Sequence, residues 1–168
     1  MATRSLIFIL ENNTYHGIYC HNDGYPSGNG SILLHNYQDI KKIKQLINLG
    51  DISHLGTTIN PSPREKMYGD PNRIRTNRRY LELSELERNK LDQQHFSDEF
   101  TSAYHRDWHE EWLTATLTLE EFQSESFVMI AYIYVFDINK KQWFCYDRAE
   151  KGQKKHKLTD SWIENHND

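Results

Sequence analysis

Two stretches of the chain hold most of the side chains that could do chemistry. The first, Ile18-Tyr19-Cys20-His21-Asn22-Asp23-Gly24-Tyr25-Pro26-Ser27-Gly28-Asn29-Gly30, sets a thiol, an imidazole, a carboxylate, two tyrosines and three glycines together. Glycines before a helix let backbone N–H groups approach a ligand, often a phosphate. No Gly-Lys-Ser/Thr follows, so this is not a Walker loop. The Gly28-Asn29-Gly30 pair lacks a third glycine three residues on, which excludes the dinucleotide fingerprint.

The second stretch runs from Ala103 to Trp112 and places His105, Asp107 and His109 at alternating positions. On a strand the three share a face, and on a helix His105 and His109 lie one turn apart. Either arrangement offers two imidazoles and a carboxylate to a metal, with Cys20, His21 or Asp23 to complete the set. The sequence is not HExxH, because Arg106 stands where the glutamate would be. Hydrogen-bonded or surface histidines account for the cluster with fewer demands, so no metal ligands and no cofactor are assigned.

A Cys20 nucleophile with His21, His35 or His105 as base has no supporting spacing, and free cysteines are commonly buried packing residues. A binding pocket asks less of the sequence. His21, Asp23, Tyr25, Gly28 and Gly30 on one loop would face Tyr104, His105, Arg106 and Asp107 on another, if the strands before them are neighbours. Arg106 would hold an anion, the tyrosines would stack on a base, and an aspartate would accept from a ribose. The competing reading is a structural salt bridge between Arg106 and an aspartate.

The elements that must position these loops follow from the pattern of the chain. Arg4–Leu10 and Tyr15–His21, separated by Glu11-Asn12-Asn13-Thr14, read as a β-hairpin in which one of Cys20 and His21 faces inward. Ser31 can cap a helical pattern that runs to Gly50, as one long helix or two short ones. Asp51–Gly56 reads as a turn, and Thr57–Ile59 as the start of a strand. Residues 60–79 carry three of the four prolines and read as a long irregular loop. Ser84 and Glu87 make a capping box for a helix to Gln94, with Leu81, Leu83, Leu86 and Leu91 partly buried. Thr101–His105 reads as a strand, Leu119–Phe127 as a helix, and Phe127–Phe136 with Gln142–Tyr146 as a second hairpin. The expected architecture is α+β: a mostly antiparallel sheet built from the two hairpins, with helices on one face. One domain spans residues 1–168, with 60–100 as an excursion and 148–168 as a basic tail.

The net charge of −4 gives no global attraction to nucleic acid or to an anionic membrane. Charge is nevertheless uneven. Residues 64–79 carry six Arg/Lys against two acids, and residues 98–125 carry eight acids against one arginine. Arg73, Arg75, Arg78 and Arg79 are the candidate contacts to a phosphate or an acidic partner. Cys20 and Cys145 form no CxxC pair or disulfide framework, which suits a reducing compartment. No apolar run is long enough for a signal peptide or a membrane span, so the expectation is a cytoplasmic protein without a membrane partner.

The motifs RSLI (4–7), IYCHNDGYPSGNGSILLHNYQD (18–39), LINLGDISHLG (46–56), AYHRD (103–107) and YIYVFD with KQWFCYD (132–147) resemble a group of small proteins encoded by bacteriophages and prophages. The resemblance covers the start, residues 18–56 and residues 103–147, and leaves residues 60–100 outside. The chain departs from the pattern at Asn22, where the group carries an aromatic, usually Trp, and at Trp108-His109, where it carries Arg-Gly. What the resemblance implies is an accessory product of a mobile element, acting in the host cytoplasm to interfere with host defence or to regulate phage takeover. The leading expectation is therefore a non-catalytic binding protein that sequesters a nucleotide-like signal or binds a host defence protein. The aromatic-rich hairpins also offer a homodimer interface. The alternatives are a metal- or histidine-dependent hydrolase of a phosphorylated substrate, using His21, His105, Asp107 and His109, and a nucleic-acid binder or mimic.

Overall fold

The computed structural model describes residues 2–166. Its centre is a pair of apolar strands buried on both faces, β1 (Ser5–Glu11) and β6 (Tyr132–Asp137), which run parallel with Ser5 opposite Tyr132. Strand β2 (Thr14–Cys20) returns antiparallel to β1 across a two-residue turn in which Asn12 and Asn13 both take positive φ. Strand β7 (Gln142–Asp147) pairs antiparallel with β6, and β8 (Lys155–Lys157) with β7. On the other side β3 (Ile52–His54) joins β2 in parallel, and β4 (Ser102–Ala103) joins β3 antiparallel. The order is β4-β3-β2-β1-β6-β7-β8, with β5 (Ala115–Thr118) on the first half of β2. The class is α+β as expected, and the two hairpins do form the sheet core. The sheet is mixed, because β1–β6 and β2–β3 run parallel.

Alternation along the strands builds two cores. Ile7, Ile9, Ile18, Cys20, Tyr134, Phe136 and Trp143 point to one face, where α1 (Ser31–Asn36), α2 (Ile40–Ile47) and α8 (Asp160–Asn165) add Leu33, Ile43, Leu46, Ile47 and Ile163. Phe8, Tyr15, Ile133 and Val135 point to the other, which α7 (Leu119–Ser124) covers by stacking Phe122 on Tyr15. Helices thus sit on one face, as read from the sequence, with α7 as an addition on the second.

Several local expectations change. Helix begins at Pro26 rather than at a Ser31 cap: Pro26–Gly30 form a wide π-type turn that runs directly into α1. Residues 51–56 contain strand β3, while 57–59 form none. The supposed irregular loop is helical: α3 (Pro63–Tyr68), a 3₁₀ turn (Pro71–Thr76) and α4 (Arg78–Leu81), each opened by an Ser62, Asp70 or Asn77 side-chain cap. The capping box at Ser84 and Glu87 starts α5 (Glu85–His95) as expected, but Leu81 and Leu86 are exposed. Only Ser102 and Ala103 of the predicted 101–105 strand are extended, and α6 (Tyr104–Trp108) follows at once. The apolar run 127–136 pairs as a strand only from Tyr132, because Phe127 and Met129 turn through positive φ and Phe127 folds back onto Phe8 and Phe122. Of the basic tail, β8 and α8 belong to the fold, and Leu158 is fully buried.

Candidate functional site

The glycine-rich stretch is built as a structural knot. Its N–H groups are spent internally: Gly28 N donates to Tyr25 O, Asn29 N to Asp23 O, and Ser31 N to Gly28 O and Pro26 O. Asn29 is fully buried and its Nδ2 donates to Asn22 O, Ser5 Oγ and Cys20 Sγ. The glycines answer crowding, since a Cβ on Gly28 would lie 2.5 Å from Asp23 O and one on Gly30 3.2 Å from the Tyr134 ring. A phosphate cradle needs free N–H groups, and Gly28 and Gly30 stand in a helical turn without them.

Strand direction decides the fate of the second stretch. Strand β3 lies between β2 and β4, and β4 runs against β3, so Tyr104 leaves at the far end, where its N–H donates to Asp51 O at 3.2 Å. The two loops therefore do not meet as neighbouring strand ends. Arg106, expected to hold an anion, instead makes the competing salt bridge: Nε and Nη2 grip both oxygens of Asp107 at 2.8 and 2.9 Å, and its donors also reach Thr101 O and Ile59 O. Asp107, 8% exposed, also accepts from Ala103 N at 2.8 Å. His105 is exposed and bonded to Glu110 O, and His109 takes the left-handed conformation that ends α6. His105, Asp107 and His109 do not converge, and among the described residues no group of three His, Cys, Asp or Glu is placed to hold a metal ion. His21 pairs with the Tyr19 hydroxyl at 2.7 Å. Cys20 is fully buried, and desolvation pushes its thiol up to about 12, which removes it as a nucleophile at neutral pH.

What the fold does assemble is a cleft of about 640 Å³ between the sheet end and the 60–100 excursion. The sheet supplies Asn22, Asp23, Ser53, His54 and Ser102. The excursion supplies Arg64, Arg75, Tyr80, Asp92, His95 and Phe96, and α6 supplies Trp108. A volume of this size suits a small-molecule ligand. Asp23, which takes positive φ, sets Oδ2 3.5 Å from His54 Nδ1 and accepts from the Tyr25 hydroxyl through Oδ1. His54 Nε2 is buried without a hydrogen-bond partner among the described residues.

The excursion is held by buried polar groups. Arg64, 5% exposed, donates to Asp92 at 2.9 Å, and the Tyr80 hydroxyl donates to the same oxygen at 2.7 Å. The Ser62 hydroxyl meets His95 Nδ1 at 2.7 Å and accepts from Glu65 N. Burial, then the neighbouring Arg64 and His54, push His95 down to about 4. Glu65, 3% exposed, accepts from Ser102 Oγ at 2.6 Å and from the Trp108 indole, while desolvation raises its carboxyl. Arg73 and Arg75 are exposed, and neither side chain has a hydrogen bond or ion pair among the described residues; Arg75 lines this cleft. Arg78 and Arg79 lie outside it on α4.

Of the nominated residues, then, the cleft collects Asp23 and Arg75. Sequence reasoning missed His54, Arg64, Asp92 and His95, which lie in segments read as a turn, a loop and a solvated helix. The readable signal was Ser62-Pro63, a helix start that would have brought Arg64 onto a helix facing α5. A larger groove of about 860 Å³ between α2 and the β1–β2 turn is less suggestive, since its Lys44 pairs with Glu11 and its His16 with Thr116. No protein-family model, curated protein or solved structure matches the chain.

Proposed function

We propose that the protein is a phage- or prophage-encoded binding protein that takes a nucleotide-like ligand into the cleft between sheet and excursion, and so withdraws a signal from a host defence system. The observation that carries the reading is the pairing, in one cleft, of an uncommitted cation with an orphaned buried nitrogen: Arg75 and His54 Nε2. An anion would satisfy the first and a hydrogen-bonding group the second. Phe96, 74% exposed with the Arg64 guanidinium over its ring at 5.0 Å, offers a flat platform for a base. Asp23 is placed to accept from a hydroxyl. Of the positions where the chain departs from the motif pattern, Asn22 and Trp108 stand in the wall of the same cleft, which supports a ligand peculiar to this chain.

Native mass spectrometry of protein purified from a bacterial host tests the reading. It expects a nucleotide-sized mass that is released on denaturation and lost after Arg75→Ala. A bare wild-type chain that also ignores added nucleotides would overturn it and turn attention to a host protein.

The Asp23–His54 contact favours a second reading. A carboxylate behind Nδ1 with Nε2 left free is the arrangement of a general base, which suits a histidine-dependent hydrolase. Chemical identity of the released ligand separates the two, since a binder returns it unchanged and a hydrolase converts it.

A further inference from the structure

Three of the nominated residues that miss the main cleft come together elsewhere. Arg73, Arg106 and Asp107 line a second cleft of about 730 Å³ on the other side of the same 3₁₀ turn. Trp108 lines both clefts. The wall between them is the chain of hydrogen bonds from Ser102 through Glu65 to the Trp108 indole. Arg73 and Arg75 stand two residues apart on a turn with three residues per revolution, so they leave it on different sides. Ile74 between them is buried and anchors the turn. Each cleft also has its own aromatic from the excursion, Tyr68 in the second and Tyr80 in the first, packed edge to face at 5.6 Å.

We infer that the two clefts are halves of one site, whose ligand carries two separated phosphates, as a dinucleotide does, with Arg75 on one and Arg73 on the other. This rests on the nucleotide reading above. A contiguous polyphosphate fits poorly, because in crossing it would lay its charge along the buried Glu65 carboxylate. A dinucleotide spans the wall with its neutral nucleoside portion and places a phosphate on either side. Two linked half-sites also raise affinity without new kinds of contact.

Titration calorimetry with the linear dinucleotide pApA and with AMP tests this on the full-length protein. Wild type binds pApA roughly tenfold more tightly than AMP, in keeping with one added charge-assisted contact. Arg73→Ala abolishes that advantage and leaves AMP affinity unchanged, whereas Arg75→Ala weakens both. Both arginines are exposed and uncommitted, so neither variant threatens the fold. Equal affinity for pApA and AMP, or an Arg73→Ala variant that binds pApA as wild type does, overturns the two-cleft inference and leaves the nucleotide reading standing. Failure of wild type to bind either compound overturns both.

Discussion

Replacing Arg106 separates a clamp from a ligand contact. Its side chain is 28% exposed, while the Asp107 side chain it grips is 5% exposed and accepts from Ala103 N as well. Arg106→Ala leaves that carboxylate buried without its cation and strips a donor from Thr101 O and from Ile59 O. Breaking a buried pair from one side costs about 3–5 kcal/mol, and the partial exposure of Arg106 places this case near the lower end, about 3 kcal/mol. For a domain of this size that lowers Tm by roughly 6–12 °C. Thermal and urea unfolding of Arg106→Ala, Asp107→Asn and the double variant read it. The double variant loses less than the sum of the singles, because each removes the same interaction. An Arg106→Ala protein that melts with wild type but loses ligand would refute the clamp and restore Arg106 as a binding residue.

Other consequences follow from the same geometry. His95 titrates at about 4 in the fold against an ordinary 6.5, so the unfolded chain binds the extra proton first. The stability it allows is complete above pH ~6.5 and declines as pH falls toward ~4, by about 2 kcal/mol once partial solvent screening is counted. Urea unfolding at several pH values shows that decline in wild type and a shallower one in His95→Gln; identical slopes would contradict the assignment. Cys20, buried under its desolvation, resists a thiol reagent in the native protein and reacts on unfolding, and rapid native labelling would show that the sheet end opens. Ser84→Ala removes one half of the capping box that starts α5 and costs about 1 kcal/mol by chemical denaturation. Because α5 carries Asp92 and His95, the variant also weakens ligand binding, whereas full-strength binding would detach the helix from the site.

The elements legible in the sequence were those whose signals are local. The Asn12-Asn13 turn, the hairpin turn at Asp137–Lys140 and the Ser84–Glu87 box carry their own chemistry, while the helical pattern after Ser31 left open whether it breaks, as it does between α1 and α2. Cys20 against His21 resolved as alternation requires, with Cys20 inward. What escaped depends on partners distant in sequence. Strand β3 has three residues and no usable periodicity, and it exists because Ile52 sits between Cys20 and Ala103. The prolines of residues 60–79 suggested a loop, yet Pro63 and Pro71 sit at helix starts, where a missing N–H costs nothing. The site was half legible for the same reason. Residue types marked Asp23 and Arg75, but His54, Arg64, Asp92 and His95 become a cleft only when the excursion folds back over the sheet end.

The most direct measurement of the central claim is histidine side-chain NMR of ¹⁵N-labelled protein titrated with AMP, with signals assigned by single substitutions. The expected result is that the His54 ring nitrogens shift and saturate at one equivalent, that His95 follows, and that His16 and His35, bonded to Thr116 and Asp160 away from the cleft, stay put. An unmoved His54 while AMP binds elsewhere would contradict it.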